Sequence, residues 1–127
     1  MELVLEAERF AARTGRRWVM DAVRGAGELD RSAGELLELL TGELLANAVI
    51  HGPAAGSIVV TVSRDGGRVR VAVRDQSPDL PRLTEASPTA LGGRGVALVD
   101  ALSSGWGVEE HAGSGKTVWF TLDLPSE

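Results

Sequence analysis

Glu43-Leu44-Leu45-Ala46-Asn47-Ala48-Val49-Ile50-His51-Gly52 is the stretch on which the reading of this chain turns. Glu43, Asn47 and His51 recur every fourth residue, so on a helix they form one stripe that drifts by only ~40° per step. The residues between them are apolar or small. A carboxylate and an amide in such surroundings need partners, because burying either bare costs roughly several kcal/mol. Two readings fit. The stripe marks the wet side of a half-buried helix, or it faces a bound cation and a polar ligand that supply the missing partners.

Working outward, Leu36, Leu37, Leu39, Leu40, Leu44, Leu45, Val49 and Ile50 cover more than one face of a helix from about Ser32 to Ile50. That helix should be well buried, and Gly52-Pro53 stops it. Upstream lie a short strand at Leu3–Leu5 and a helix from about Ala7 to Val23, with Phe10, Trp18, Val19, Ala22 and Val23 as candidate contacts. Gly25-Ala-Gly27 ends it.

Downstream, Ser57–Ser63 and Arg68–Arg74 alternate like strands, and Asp65-Gly66-Gly67 between them is a hairpin signal. Pro78, Pro81 and Pro88 mark an irregular stretch from about Gln76 to Leu91, a length that in a small domain goes with function or mobility. A helix from Val96 to Leu102 and a hairpin of Trp106–Glu110 with Lys116–Leu124 complete the chain. The order β, α, α, β, β, loop, α, β, β predicts a single α+β domain over residues 1–127. It should be a two-layer sandwich, with helices on one face of a mixed, mostly antiparallel sheet.

Composition narrows the function. A net charge of −5 argues against direct nucleic-acid binding, which demands a basic footprint. No apolar run is long enough for a membrane span, and the acidic start is no signal peptide, so a cytoplasmic setting is expected. Cysteine is absent and histidine occurs only at positions 51 and 111, so a metal cage built from protein ligands alone is not expected.

Three further pieces carry chemistry. Asp75 ends a strand beside a loop, where a carboxylate can accept from an amino group such as that of adenine, or simply start a turn before Pro78. Gly92-Gly93-Arg94-Gly95 precedes a helix, and glycines, a cation and free helix N–H groups together suit phosphate. Gly113-Ser-Gly-Lys-Thr117 imitates the end of a P-loop. The full motif needs a glycine where Glu110 stands and a helix where Thr117-Val-Trp-Phe-Thr-Leu122 alternates like a strand. The P-loop reading fails.

Taken in order, these pieces resemble the GHKL ATPase superfamily, the fold shared by gyrase, Hsp90-type chaperones, histidine kinases and MutL. Within it the sequence looks most like the short anti-sigma-factor serine kinases of the RsbW and sporulation type. Glu43-Leu-Leu-Ala-Asn47-Ala-Val-Ile-His51-Gly52 looks like the N box, and Asp75-Gln-Ser-Pro78 like a degenerate first glycine box. Gly92-Gly-Arg-Gly-Val96-Ala-Leu-Val99 looks like the second, and Gly113-Ser-Gly115-Lys-Thr117-Val-Trp-Phe like the third.

The resemblance implies a Bergerat-type ATP-binding fold and a division of labour. Asn47 would coordinate the Mg²⁺ that bridges the ATP phosphates, and Glu43 would be the general base. Asp75 would bind the adenine amino group, with Gly115 and Thr117 nearby. Gly92, Gly93, Arg94, Gly95 and Val96 would meet the phosphates beneath a lid at about Glu85 to Leu91. Ser77 stands where the family expects glycine. With no room for a phosphoacceptor helical hairpin, the resemblance favours the short serine kinases over histidine kinases. It implies a homodimer that sequesters a sigma factor and phosphorylates a serine or threonine of a STAS-domain anti-anti-sigma antagonist. An ATP-responsive partner switch without appreciable catalysis is the alternative.

Overall fold

The computed structural model describes residues 1–8, 10–51, 56–76 and 95–125. Among them β1 (Glu2–Glu6), α1 (Ala11–Gly25), α2 (Arg31–His51), β2 (Ser57–Asp65) and β3 (Arg68–Asp75) come first. Then follow α3 (Gly95–Leu102), β4 (Gly105–His111) and β5 (Gly115–Asp123). Every element implied by the sequence is present, the largest shift being the start of α1, at Ala11 rather than Ala7. The expected lid at 85–91, the glycines Gly92 and Gly93, and Arg94 and Ser77 lie outside the described residues.

The five strands form one sheet in the order β1-β2-β3-β5-β4. Each pairing is antiparallel, so the mixed component allowed for in the sequence reading is absent among the described residues. Two hairpins build most of it. In β2–β3, Asp65 pairs with Arg68 across a two-residue turn, and Gly66 takes the left-handed φ of 57° that this turn demands.

Alternation gives the sheet one dry face. Ile58, Val60, Val62, Val69, Val71, Val73, Val118, Phe120 and Leu122 are buried there against Val19, Met20 and Val23 of α1, and against Leu37, Leu40, Leu44 and Leu45 of α2. Gly15 lets α1 settle close to its neighbours: a Cβ there would stand 2.9 Å from Leu45 and 3.2 Å from Leu5. On the outer face, Arg70 stacks over the Trp119 ring at 5.1 Å.

Two expected contacts are corrected. Phe10 is 53% exposed, because it caps α1 and Ala11 takes the inward place. Leu39 is 43% exposed, lying outward between the inward Leu37 and Leu40.

The helix ends are held by specific groups. Asp30 Oδ2 accepts from the backbone N–H groups of Ser32 and Ala33 at 3.1 and 3.3 Å, capping α2. Arg64, reaching from β2, donates to the carbonyls of Val23, Gly27 and Glu28 at 3.0, 3.1 and 2.6 Å. It thereby closes the C-terminal end of α1. Trp106 Nε1 donates to Asp100 Oδ1 at 2.8 Å and ties β4 to α3.

Candidate functional site

Asp75, Gly115 and the exit from α2 come together at one end of the sheet. Asp75 is the last residue of β3 and pairs with Lys116 near the start of β5. Ser57, the first residue of β2, donates its N–H to Gln76 Oε1 at 3.2 Å, which places the exit from α2 at this same end. The chain leaves this end after Gln76 and returns as α3, which packs against α2.

Asn47 lies in the C-terminal part of α2 and is 7% exposed. Among the described residues no hydrogen bond engages its side-chain amide. At 7% exposure the amide is shielded from most solvent, and a ligand or a partly hydrated cation is the kind of partner it fits. Glu43 is half-buried one turn earlier. Gly95 and Val96 open α3; the side chains of Val96 and His51 lie outside the described residues.

Asp75 has a partner that the motif reading did not supply. Lys116 Nζ donates to both its carboxylate oxygens, at 3.0 and 3.1 Å. Asp75 and Lys116 are 2% and 1% exposed, the only buried charged side chains among the described residues. Gly115 lets the two strands meet. Its φ is 98°, and a Cβ there would run into the Asp75 carbonyl oxygen and come within 2.7 Å of Gln76 Cα.

Thr117 is placed on the other face. Its Oγ1 is 2.7 Å from His111 Nε2, and it is Lys116, not Thr117, that stands against Asp75. The reason is the strand period of two: with Val118 and Phe120 facing the core, a step back of two residues lands on Lys116. Alternation could therefore have found Lys116 from the sequence, where the resemblance to the third glycine box implied Thr117 instead. No group of three or more His, Cys, Asp or Glu side chains among the described residues could hold a metal ion by itself.

A second polar feature lies on the outward side of the helices. Arg13, Arg16, Arg17 and Arg24 of α1 line a groove of about 310 Å³ with Met20, Asp21 and Glu38. Four arginines along one helix face stand out in a chain whose net charge is −5.

The chain is thus a two-layer α+β domain with a polar stripe on α2 and an acid at the end of β3. The family model described as "Histidine kinase-like ATPase domain" matches residues 5–122, and the chain belongs to that family. Among solved structures it is similar to the blue-light activated histidine kinase EL346 of Erythrobacter litoralis. The identity is 24%, with 91% of this chain and 42% of that one covered and a TM-score of 0.60. It is also similar to full-length ShkA in complex with AMPPNP, at 23% identity over 92% of this chain and 30% of that one, TM-score 0.56. The catalytic domain of the histidine kinase ThkA gives 16% identity, 99% coverage of both chains and a TM-score of 0.57. At these identities the likeness is one of fold. The chain spans 42% and 62% of the first two structures it matches. No curated protein matches it by sequence.

Proposed function

We propose that this domain binds Mg-ATP and works as a cytoplasmic anti-sigma factor and protein serine/threonine kinase, phosphorylating a STAS-type antagonist. The observation that carries the reading is Asn47, a buried amide without a partner among the described residues, on the helix that also presents Glu43. Asn47 would hold the metal, with phosphate oxygens completing its shell. The metal's chemistry is to neutralise charge on the transferring phosphoryl group. Gly93, Arg94, Gly95 and the α3 N-terminus would position the phosphates.

Glu43 would take the proton of the attacking hydroxyl as its oxygen bonds to the γ-phosphorus and the bond to ADP breaks. Half-burial suits a general base here, one turn from the proposed metal ligand. For partner capture, the arginine groove on α1 offers the charge that an acidic segment of a sigma factor would need. Homodimerisation, implied by the resemblance, is part of the same proposal.

The test is to incubate the protein with Mg-ATP labelled at the γ-phosphate and candidate STAS-domain antagonists. Label on a serine or threonine of the antagonist is expected, and none should appear with Glu43→Ala. Tight ATP binding with no transfer to any antagonist, and partner release that survives Glu43→Ala, would sink the kinase claim and leave a nucleotide-responsive switch.

A further inference from the structure

Lys116 is the only lysine in the chain, and its ammonium is buried against the residue proposed to read the base. Pairs of this kind are weak devices for stability, because desolvating two charges offsets much of their attraction. A small polar or apolar residue opposite Asp75 would have avoided one of those penalties. The pair's position is the informative point: it closes the site end of β3 and β5, one residue from the strand contact that only Gly115 permits.

Valence counting shows what Lys116 can still offer. An ammonium has three donors, and two of them go to the Asp75 oxygens. Lys116 therefore keeps one donor within about 3 Å of the carboxylate. The ammonium and the carboxylate are in direct contact, so a base held by the carboxylate would also meet the ammonium. A lone carboxylate accepts from a 6-amino group and repels a 6-oxo group, whose oxygen is itself an acceptor. An ammonium beside it supplies the donor that a 6-oxo group lacks.

We propose that Lys116 makes the base site tolerant of the purine 6-substituent, so that 6-oxo purine triphosphates bind alongside ATP. This rests on the reading that Asp75 holds the base. Lys116 acts here as a specificity residue, and its effect is read in binding rather than in turnover.

The experiment is calorimetric titration of the whole chain with Mg-ATP and Mg-ITP, which differ at the 6-substituent and in the ring N1 proton that accompanies it. In the unmodified protein ITP should bind within about tenfold of ATP. In Lys116→Thr the preference should move toward ATP, with the ATP:ITP affinity ratio rising by about tenfold or more. Lys116→Arg, which keeps a donor beside Asp75, should retain ITP binding. If the unmodified protein prefers ATP by about 100-fold or more, the inference is overturned, and that comparison needs no variant to fold. An ATP:ITP ratio unchanged in a folded Lys116→Thr, checked by circular dichroism, overturns it as well. Failure to bind either nucleotide removes the nucleotide reading too, whereas ATP binding with ITP excluded removes only the role given to Lys116.

Discussion

Asn47 and Glu43 sit one helical turn apart, yet their surroundings assign them different work. Asn47 is nearly closed off and has no partner among the described residues, whereas Glu43 keeps a face in solvent. Removing the amide should therefore act on the bound state itself. Asn47→Ala is expected to weaken Mg-dependent ATP binding by about tenfold to 100-fold, the loss of one or two charge-assisted contacts. Glu43→Ala should leave binding within a few-fold and slow phosphoryl transfer by about 100-fold to 10,000-fold, the usual weight of a general base. Calorimetry for binding and single-turnover transfer for chemistry separate the two. Equal loss of ATP affinity in both variants would contradict the assignment. These two residues were legible in the sequence because an i, i+4 polar pair interrupts an apolar helix. Lys116 was equally legible by strand phase, but the resemblance to the third glycine box singled out its neighbours Gly115 and Thr117.

At the scale of elements, the site depends on helices seated correctly on the sheet, and two side chains govern that seating at the far edge. Arg64 gathers three carbonyls, that of Val23 in the last turn of α1 and those of Gly27 and Glu28 just beyond it, where the negative end of the helix dipole favours a cation. Two of those three bonds are solvent-exposed, which lowers their worth. Arg64→Ala should cost about 2 kcal/mol, and urea denaturation would register it as a lower midpoint with an unchanged slope. A second tie joins the strands: Arg68 Nε donates to Asp123 Oδ1 at 2.7 Å. That bond, ahead of the opposing desolvation, holds the Asp123 carboxyl below the ordinary value of 3.8. A depressed carboxylate contributes stability that is present above its unfolded value and fades as pH falls through the folded one. Asp123→Asn should therefore lower the urea midpoint slightly at pH 7, and the difference from the unmodified protein should shrink below about pH 3.8. A difference that grows on acidification would refute the sign.

At the scale of the whole molecule, the eight elements followed from local pattern, since periods of two and 3.6 and glycine turns are short-range signals. The strand order did not. β3 lies beside β5 although α3 and β4 intervene in sequence, and no local signal states which distant strand will pair. The same limit hid the Asp75–Lys116 pair, whose members are 41 positions apart. It also hid the groove on α1, because arginines spaced along a helix look like an ordinary wet face until Glu38 of α2 is set beside them. That groove is where charge and partner binding should meet. A basic strip on an acidic protein steers an acidic segment into one orientation, and such steering is screened by salt over a Debye length of about 8 Å at physiological ionic strength. Reversing Arg13 and Arg17 to glutamate should weaken capture of the proposed sigma factor by about tenfold to 100-fold in low salt. The gap between the variant and the unmodified protein should narrow as salt rises. Mg-ATP binding should stay within a few-fold in the same variant, since neither Arg13 nor Arg17 belongs to the proposed nucleotide site. Partner capture that ignores both the reversal and the salt would remove α1 from the interface, whatever the fate of the nucleotide site.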